Sequence, residues 1–244
     1  DGRLRAHAWG PGAAAAVAQA PELCGAADDD RAFAPLLPRI AEAHRREPGW
    51  RVPRTARIFD ALVPVVLEQK VIVQQAHDSW RRLVHRFGEP APGPAAERMR
   101  VPPDAAGWRR VPSWAWHRAG VDPQRARFVV RLAERAESID RLAELPAAEA
   151  RARLLALPGV GAWTAAEVAQ RALGDADAVS VGDFHLAKRV GHALAGRDFD
   201  DDELLAALEP WAGQRFRAVR RILRAGPARP RRGPRLALVD HRAH

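Results

Sequence analysis

The sequence predicts a mostly α-helical protein, on three observations. Alanine-rich segments carry apolar residues at helical spacing, short Pro/Gly joints separate those segments, and strand-like alternation is scarce. At about 150 residues per domain, a chain of 244 makes one large domain or two small ones. Hydrophobic residues at 47% and charged residues at 28% are an ordinary globular balance, which excludes wholesale disorder. A chain this long buries enough surface to fold without a disulfide or a metal. The single cysteine, Cys24, excludes an internal disulfide framework, a Cys₄ iron–sulfur cluster and a Cys₄ zinc site. No window approaches about 18 consecutive apolar residues, the length that spans a bilayer.

Taken in order, residues 12–20 and 31–47 read as helices, the second interrupted near Pro35 and Pro38. Residues 56–87 hold the strongest apolar pattern, with Ile58, Phe59, Leu62, Val63, Val66 and Leu67 at helical spacing. The β-branched stretch Lys70-Val71-Ile72-Val73 interrupts that run, and a new helix is expected from Gln74 to Phe87. Residues 88–103 form a Pro-rich joint. Asp122-Pro123 is an N-cap followed by proline at the first helical position, so a helix starts there and carries Phe128, Val129 and Leu132 on one face. Pro146 starts the next helix, ending at Leu157. Residues 162–174, 184–195, 201–209 and 214–225 complete the set, and no period of 20–50 residues signals a solenoid. The tail, with Arg229, Arg231, Arg232 and Arg235 among prolines and glycines, is expected to be extended and mobile.

Basic residues number 39 and acidic residues 30, a net charge of +9 that favours a polyanionic partner such as nucleic acid. Lysine occurs only at Lys70 and Lys188. A GC-rich coding sequence would account for arginine over lysine, but it does not account for the surplus of bases over acids. The first residue is Asp1, so a trimmed or partial chain is expected. No basic segment followed by an apolar run opens it, and the expected location is cytoplasmic, at the nucleoid.

The informative stretch is Leu157-Pro158-Gly159-Val160-Gly161-Ala162-Trp163-Thr164-Ala165, a helix end, a turn with two glycines and an immediate second helix. Glycine permits positive φ and leaves no Cβ in the way of a close approach. Backbone N–H groups at the new helix start, with the positive end of the dipole behind them, suit a phosphate. Gly-x-Gly between helices is also an ordinary tight turn. Twenty residues after Trp163 comes Val181-Gly182-Asp183-Phe184-His185-Leu186. An aspartate before an apolar-patterned helix is by default an N-cap.

The combination changes that reading. Leu-Pro-Gly-Val-Gly-x-x-Thr-Ala followed by Gly-Asp at a helix start resembles the helix-hairpin-helix DNA glycosylase superfamily, most closely its 3-methyladenine DNA glycosylase II (AlkA-like) group. The likeness runs from about His7-Ala8-Trp9-Gly10-Pro11-Gly12 to the end of the chain, and it includes Leu67-Glu68-Gln69-Lys70-Val71 and Glu209-Pro210-Trp211. The hairpin with its aspartate is specific to the superfamily; the other matches are individually weak. The resemblance implies a fold of two helical lobes with a cleft. Residues 1–11 would be the remnant of a largely absent N-terminal β-rich domain, with Leu4 and Ala6 from its last strand. Residues 12–225 would be the glycosylase region, with the hairpin at 157–165, and residues 226–244 a basic tail.

The resemblance also implies roles. Asp183 matches the catalytic carboxylate, which faces C1′ of the sugar, stabilises its developing positive charge and orients or deprotonates water. Gly159, Val160, Gly161 and Thr164 match the hairpin that binds a DNA phosphate. The backbone carbonyls of Leu155, Leu157 and Val160 match a site for Na⁺ or K⁺; no other cofactor and no iron–sulfur cluster is implied. Lyase-type members place a lysine two residues after the second hairpin glycine. Trp163 stands there, which implies a monofunctional enzyme that leaves an abasic site. An indole face also attracts a cationic alkylated purine, although core packing beside the hairpin explains the same residue. The chain has no tyrosine, so the pocket tyrosine of some relatives is replaced. Gln69, Lys70, Val71 and Ile72 match the wedge that fills the gap left by a flipped base; the cluster equally suits buried core, and the family's leucine is missing. The implied partner is double-stranded DNA containing damaged bases, bound by a monomer without a membrane. The implied activity is excision of alkylated bases of the 3-methyladenine type. Its rivals are excision of a deaminated or oxidised base, and a non-catalytic helix-hairpin-helix DNA-binding module.

Other residues read more plainly. Trp114 and Trp116 are expected to pack between helices, Trp80 and Trp108 in the core, and Trp211 as an anchor of the last helix pair. His185 reads as a surface or supporting histidine. Arg215, Arg217, Arg220, Arg221 and Arg224 either meet the phosphate backbone or form a solvated face. No His-Glu-x-x-His or other metal-ligand spacing occurs.

Overall fold

The computed structural model describes residues 3–230. In chain order the helices are α1 (Ala13–Leu23), α2 (Pro38–Arg46), α3 (Ile58–Glu68), α4 (Val73–Phe87), α5 (Ala105–Arg110), α6 (Ser113–Ala119), α7 (Pro123–Ala133), α8 (Ala136–Asp140), α9 (Ala147–Leu155), α10 (Ala162–Val168), α11 (Leu186–Ala195), α12 (Asp201–Leu208) and α13 (Arg215–Ala225). Among the described residues the strands are β1 (Glu89–Pro90) and β2 (Arg100–Val101), an antiparallel pair that closes the Pro-rich joint with Glu89 opposite Val101. The fold is mostly α, as the sequence predicts. It divides into two compact units, residues 3–20 with 57–142, and residues 21–56 with 143–230.

The first unit is built on α3, whose Ile58, Phe59, Leu62, Val63, Val66 and Leu67 are all buried. Its partners are α4, α7 and α8. Both ends of α3 are secured from elsewhere: Asp140 accepts from the Phe59 N–H at 2.8 Å, and the buried Arg125 donates to the Leu67 carbonyl at 2.5 Å. These contacts satisfy groups that a helix end leaves orphaned. Asp122 caps α7 as expected, accepting from the N–H groups of Gln124 and Arg125. Trp108 and Trp116 are buried and stacked with ring centroids 5.5 Å apart, while Trp80 is half-buried with its ring 5.8 Å from Trp108. The N-terminal segment lies against the Pro-rich joint. A Cβ on Gly93 would fall 2.3 Å from the Trp9 ring, and one on Gly10 would fall 2.8 Å from Pro92, so both glycines permit the approach.

In the second unit α11, α12 and α13 pack around Ile40 of α2, Val190, Leu204, Leu208, Trp211 and Ile222. Trp211 is buried and donates from its indole to the Ala34 carbonyl at 2.7 Å, the expected anchor.

The structure corrects several expectations. The helix expected over 31–47 exists only from Pro38, because the residue before proline is held extended; Leu37 sits at φ −114°, ψ 139°. Residues 3–9 form no strand, and Leu4 is exposed. Trp114 is not packed between helices: it is 46% exposed, with the guanidiniums of Arg86 and Arg118 over its ring at 4.5 and 5.4 Å. Helices α5, α6 and α8 are too short to announce themselves by periodicity.

Neither alternative for the α13 arginines describes three of the five. Arg217 and Arg221 are buried, paired with Asp28 at 2.5 Å and Glu47 at 3.0 Å. Arg215 is half-buried and pairs with Asp177, whereas Arg220 and Arg224 are exposed on a solvated face, Arg224 paired with Glu47. Of the tail arginines, Arg229 pairs with Asp198 at 2.6 Å. Arg231, Arg232 and Arg235 lie outside the described residues.

Candidate functional site

The hairpin forms between α9 and α10 in the second unit. Leu157 N–H donates to the Leu154 carbonyl and Val160 N–H to the Leu157 carbonyl, both at 3.0 Å, so the turn is closed by its own backbone. The two glycines differ in purpose. Gly159 has φ +97°, where a Cβ is strained, and the turn itself requires it. Gly161 has an ordinary φ of −90° and is the N-cap of α10 without a side-chain cap. A Cβ there would meet nothing within 4 Å. Gly161 is therefore not demanded by the protein's own conformation or packing. Both glycines are exposed, whereas Val160 and Thr164 are buried and Trp163, on the first turn of α10, is half-buried.

A loop then leads from α10, through a π-helical turn at Ala169–Leu173, to α11. Three tethers hold it. Arg151 of α9 pairs with the buried Asp175 at 2.5 Å, and burial pushes the Asp175 carboxyl above the usual carboxylate range. Arg215 of α13 grips Asp177 with two donors at 2.6 and 2.8 Å. Ser180, itself buried, donates to Glu167 and accepts from Gln170, which also donates to the Ala178 carbonyl at 2.9 Å. Glu167 lies on α10 and Gln170 on the π-helical turn that continues it. The helix that opens at the hairpin is thus bonded to the residue three places before Asp183.

Gly182, at φ +87°, turns the chain, and its N–H donates to Asp201 at 3.0 Å. Asp183 follows, half-buried, with its N–H on the Ser180 carbonyl. One carboxylate oxygen, Oδ1, accepts from both the His185 and the Leu186 N–H at 2.8 Å, so from the turn before the N-cap His185 it satisfies the first N–H of α11, a capping role. No donor among the described residues reaches Oδ2. The capping and chemical readings of this residue are compatible, because each uses a different oxygen. Beside it Phe184 is 72% exposed, with Lys188 Nζ 4.2 Å over its ring and the exposed His185 edge-on at 4.8 Å.

No family model matches the chain. A curated relative from Mycobacterium tuberculosis, described as a probable bifunctional transcriptional activator/DNA repair enzyme AlkA, is 33% identical over 159 residues. That match covers 60% of this chain and 30% of the relative, so it spans about a third of the relative's length. Among solved structures, a 3-methyladenine DNA glycosylase from Archaeoglobus fulgidus superposes with TM-score 0.64 at 19% identity, over 76% of this chain and 64% of that one. The 8-oxoguanine glycosylase/lyase of Clostridium acetobutylicum gives TM-score 0.62 at 13% identity, over 78% and 67%. The chain is thus similar in sequence to an AlkA relative over part of its length, and it shares its fold with solved DNA glycosylases.

The residues matched to the wedge lie in the first unit, between α3 and α4. Gln69 caps α3, Lys70 is exposed, and Val71 and Ile72 are half-buried. Lys70 has φ +56°, a conformation costly for a residue with a Cβ and one that clusters at functional sites, at about 1–3 kcal/mol. The neighbouring Val73 is 58% exposed. The three carbonyls matched to a cation site are neutral oxygen donors, a set that suits an alkali ion, and the Leu157 carbonyl also accepts the Val160 N–H. No cluster of three or more His, Cys, Asp or Glu able to hold a metal occurs among the described residues, and no helix there is long and apolar enough to cross a membrane.

Sequence reasoning missed Glu167, Gln170, Ser180 and Phe184. Three of them are polar residues whose role exists only through one another across 10–13 positions, and no spacing rule announces that. Phe184 carried a signal: a large apolar residue between Asp183 and the helix start, outside the apolar register of α11.

Proposed function

We propose that this chain is a monofunctional DNA glycosylase that hydrolyses the N-glycosidic bond of alkylated bases of the 3-methyladenine type in base excision repair. The observation that carries the proposal is the tethering of Asp183, with one free carboxylate oxygen, to the helix that begins at the exposed Gly159–Gly161 hairpin. The hairpin backbone takes a DNA phosphate, which fixes register without reading sequence. Asp183 Oδ2 faces C1′ of the flipped nucleotide. As the C1′–N bond breaks, the base leaves with the bonding electron pair and C1′ becomes cationic. The carboxylate stabilises that charge, water bonds to C1′, and its proton passes to Asp183 or to solvent. N3 or N7 alkylation makes the purine cationic before cleavage and neutral after it, so the base needs little further assistance. Trp163, half-buried near the hairpin, supplies an aromatic face, and cation–π attraction is worth about 0.5–2 kcal/mol. With tryptophan where lyase-type relatives carry lysine, no amine there attacks the sugar. Gln69, Lys70, Val71 and Ile72 fill the gap in the stack, with the positive φ of Lys70 supporting a loop set for contact.

The test is single-turnover base release from duplexes carrying 3-methyladenine, 7-methylguanine, 1,N6-ethenoadenine or 8-oxoguanine. Free alkylated base, with strands broken only after alkali, is the expected result. Release of 8-oxoguanine alone would move the chain to the oxidised-base reading, and strand scission without alkali would overturn the argument from Trp163.

A second expectation isolates the hairpin. Gly161→Ser puts a preferred N-cap residue at φ −90°, in open space, so thermal stability should hold or rise slightly. The added side chain obstructs the phosphate, and affinity for undamaged duplex DNA should fall on the order of tenfold. Unchanged affinity in an anisotropy titration would remove the hairpin from the interface.

A further inference from the structure

The positive charge of this chain is not where the hairpin is. Residues 81–131 contain eleven arginines and four carboxylates, a surplus of seven in a chain whose whole surplus is nine. In the second unit the arginines of α13 are largely neutralised by Asp28, Glu47 and Asp177. The first unit carries the counterpart. A cavity of about 450 Å³ is lined at the end of α4 by Arg81, Arg82, His85 and Arg86, and from α6 by Arg118, with no carboxylate in its lining. All five are exposed. Arg81 is paired with Asp78, and Arg82 donates to the Ala119 carbonyl at 3.3 Å. Arg86 and Arg118 have no carboxylate partner among the described residues; both lie over the half-exposed ring of Trp114. A guanidinium held on an indole keeps its in-plane N–H donors directed outward, so less side-chain freedom is lost when it meets an anion.

We propose that this groove is a second nucleic-acid contact, which grips the phosphodiester backbone through Arg86 and Arg118 with Trp114 as their common platform. It lies at the opposite end of α4 from Lys70. At about 1.5 Å per residue the fifteen residues of α4 span about 22 Å, so the phosphates it holds lie roughly two-thirds of a turn of duplex from any base the Lys70 loop contacts. The inference rests on the DNA-binding part of the function proposed above, and not on its chemistry.

The experiment is the salt dependence of binding to a long undamaged duplex, for the parent, Arg86→Gln/Arg118→Gln and a control of equal charge, Arg45→Gln/Arg46→Gln. The control arginines are exposed on α2 and paired with Glu42. Each phosphate contact contributes about 0.9 to the slope of log K against log salt, so the groove variant should be shallower by about 1.8 and weaker by on the order of tenfold at low salt. The control should match the parent. An unchanged slope in the groove variant, or an equal fall in the control, would overturn the proposal, as would a parent that does not bind DNA. Base release with an unchanged slope would defeat the groove alone. A shallower slope in a chain that releases no base would defeat the glycosylase reading and leave the groove standing.

Discussion

Asp183→Asn is expected to slow single-turnover base release by about 10²–10³-fold, the usual scale for removing one charge-stabilising group from a transition state, with little change in thermal stability. The asymmetry follows from how the carboxylate is used. Asparagine keeps a carbonyl oxygen that accepts from His185 and Leu186 at the same two 2.8 Å positions, and asparagine is as good an N-cap as aspartate. What it lacks is the negative charge opposite a cationic sugar. Asp183→Ala removes cap and charge together, so it should lose the same activity and about 1 kcal/mol of stability besides. A rate for Asp183→Asn within threefold of the parent would place the catalytic carboxylate elsewhere. Equal destabilisation by Asn and Ala would show that the cap is not formed as described.

Arg217→Ala is expected to be the most damaging single substitution to stability, by about 3–5 kcal/mol, the cost of leaving one half of a buried ion pair. Arg217 is wholly buried, bonded to Asp28 at 2.5 Å and Gln214 at 2.6 Å, with its guanidinium 5.4 Å from the Trp50 ring. Its removal strands Asp28, whose side chain is 2% exposed and retains the Val52 N–H at 2.9 Å. Arg220→Ala, three residues along the same helix but exposed, should change stability by no more than about 0.5 kcal/mol. Chemical denaturation of the two variants side by side is the measurement. Similar midpoints would mean that the Arg217–Asp28 pair is not buried as described. Because the two arginines carry the same charge, their divergence would also separate burial from electrostatics as the cause.

The features legible in the sequence are those written within a few residues. The Asp122-Pro123 helix start, the interruption after α3 and the hairpin with its aspartate all depend on caps, proline geometry or glycine φ, which act over four residues or fewer. The hairpin shows the limit of that locality. Two glycines look alike in the sequence, yet only Gly159 needs its positive φ. Gly161 is ordinary backbone beside open space, a distinction that the surrounding atoms make.

The sequence by itself determined the helical class, the element order over most of the chain, the place of the hairpin and the position of Asp183 at a helix start. Only the tertiary structure decided which charges are spent internally and which remain for a partner. The α13 arginines look equivalent by spacing, but Arg217 and Arg221 meet carboxylates 189 and 174 residues away, while Arg86 and Arg118 meet an indole and, among the described residues, no carboxylate. The reason is physical. Helix starts and turns are settled by local sterics and backbone hydrogen bonds, whereas the fate of a charge is set by the desolvation and Coulomb terms of every group that folding brings near it.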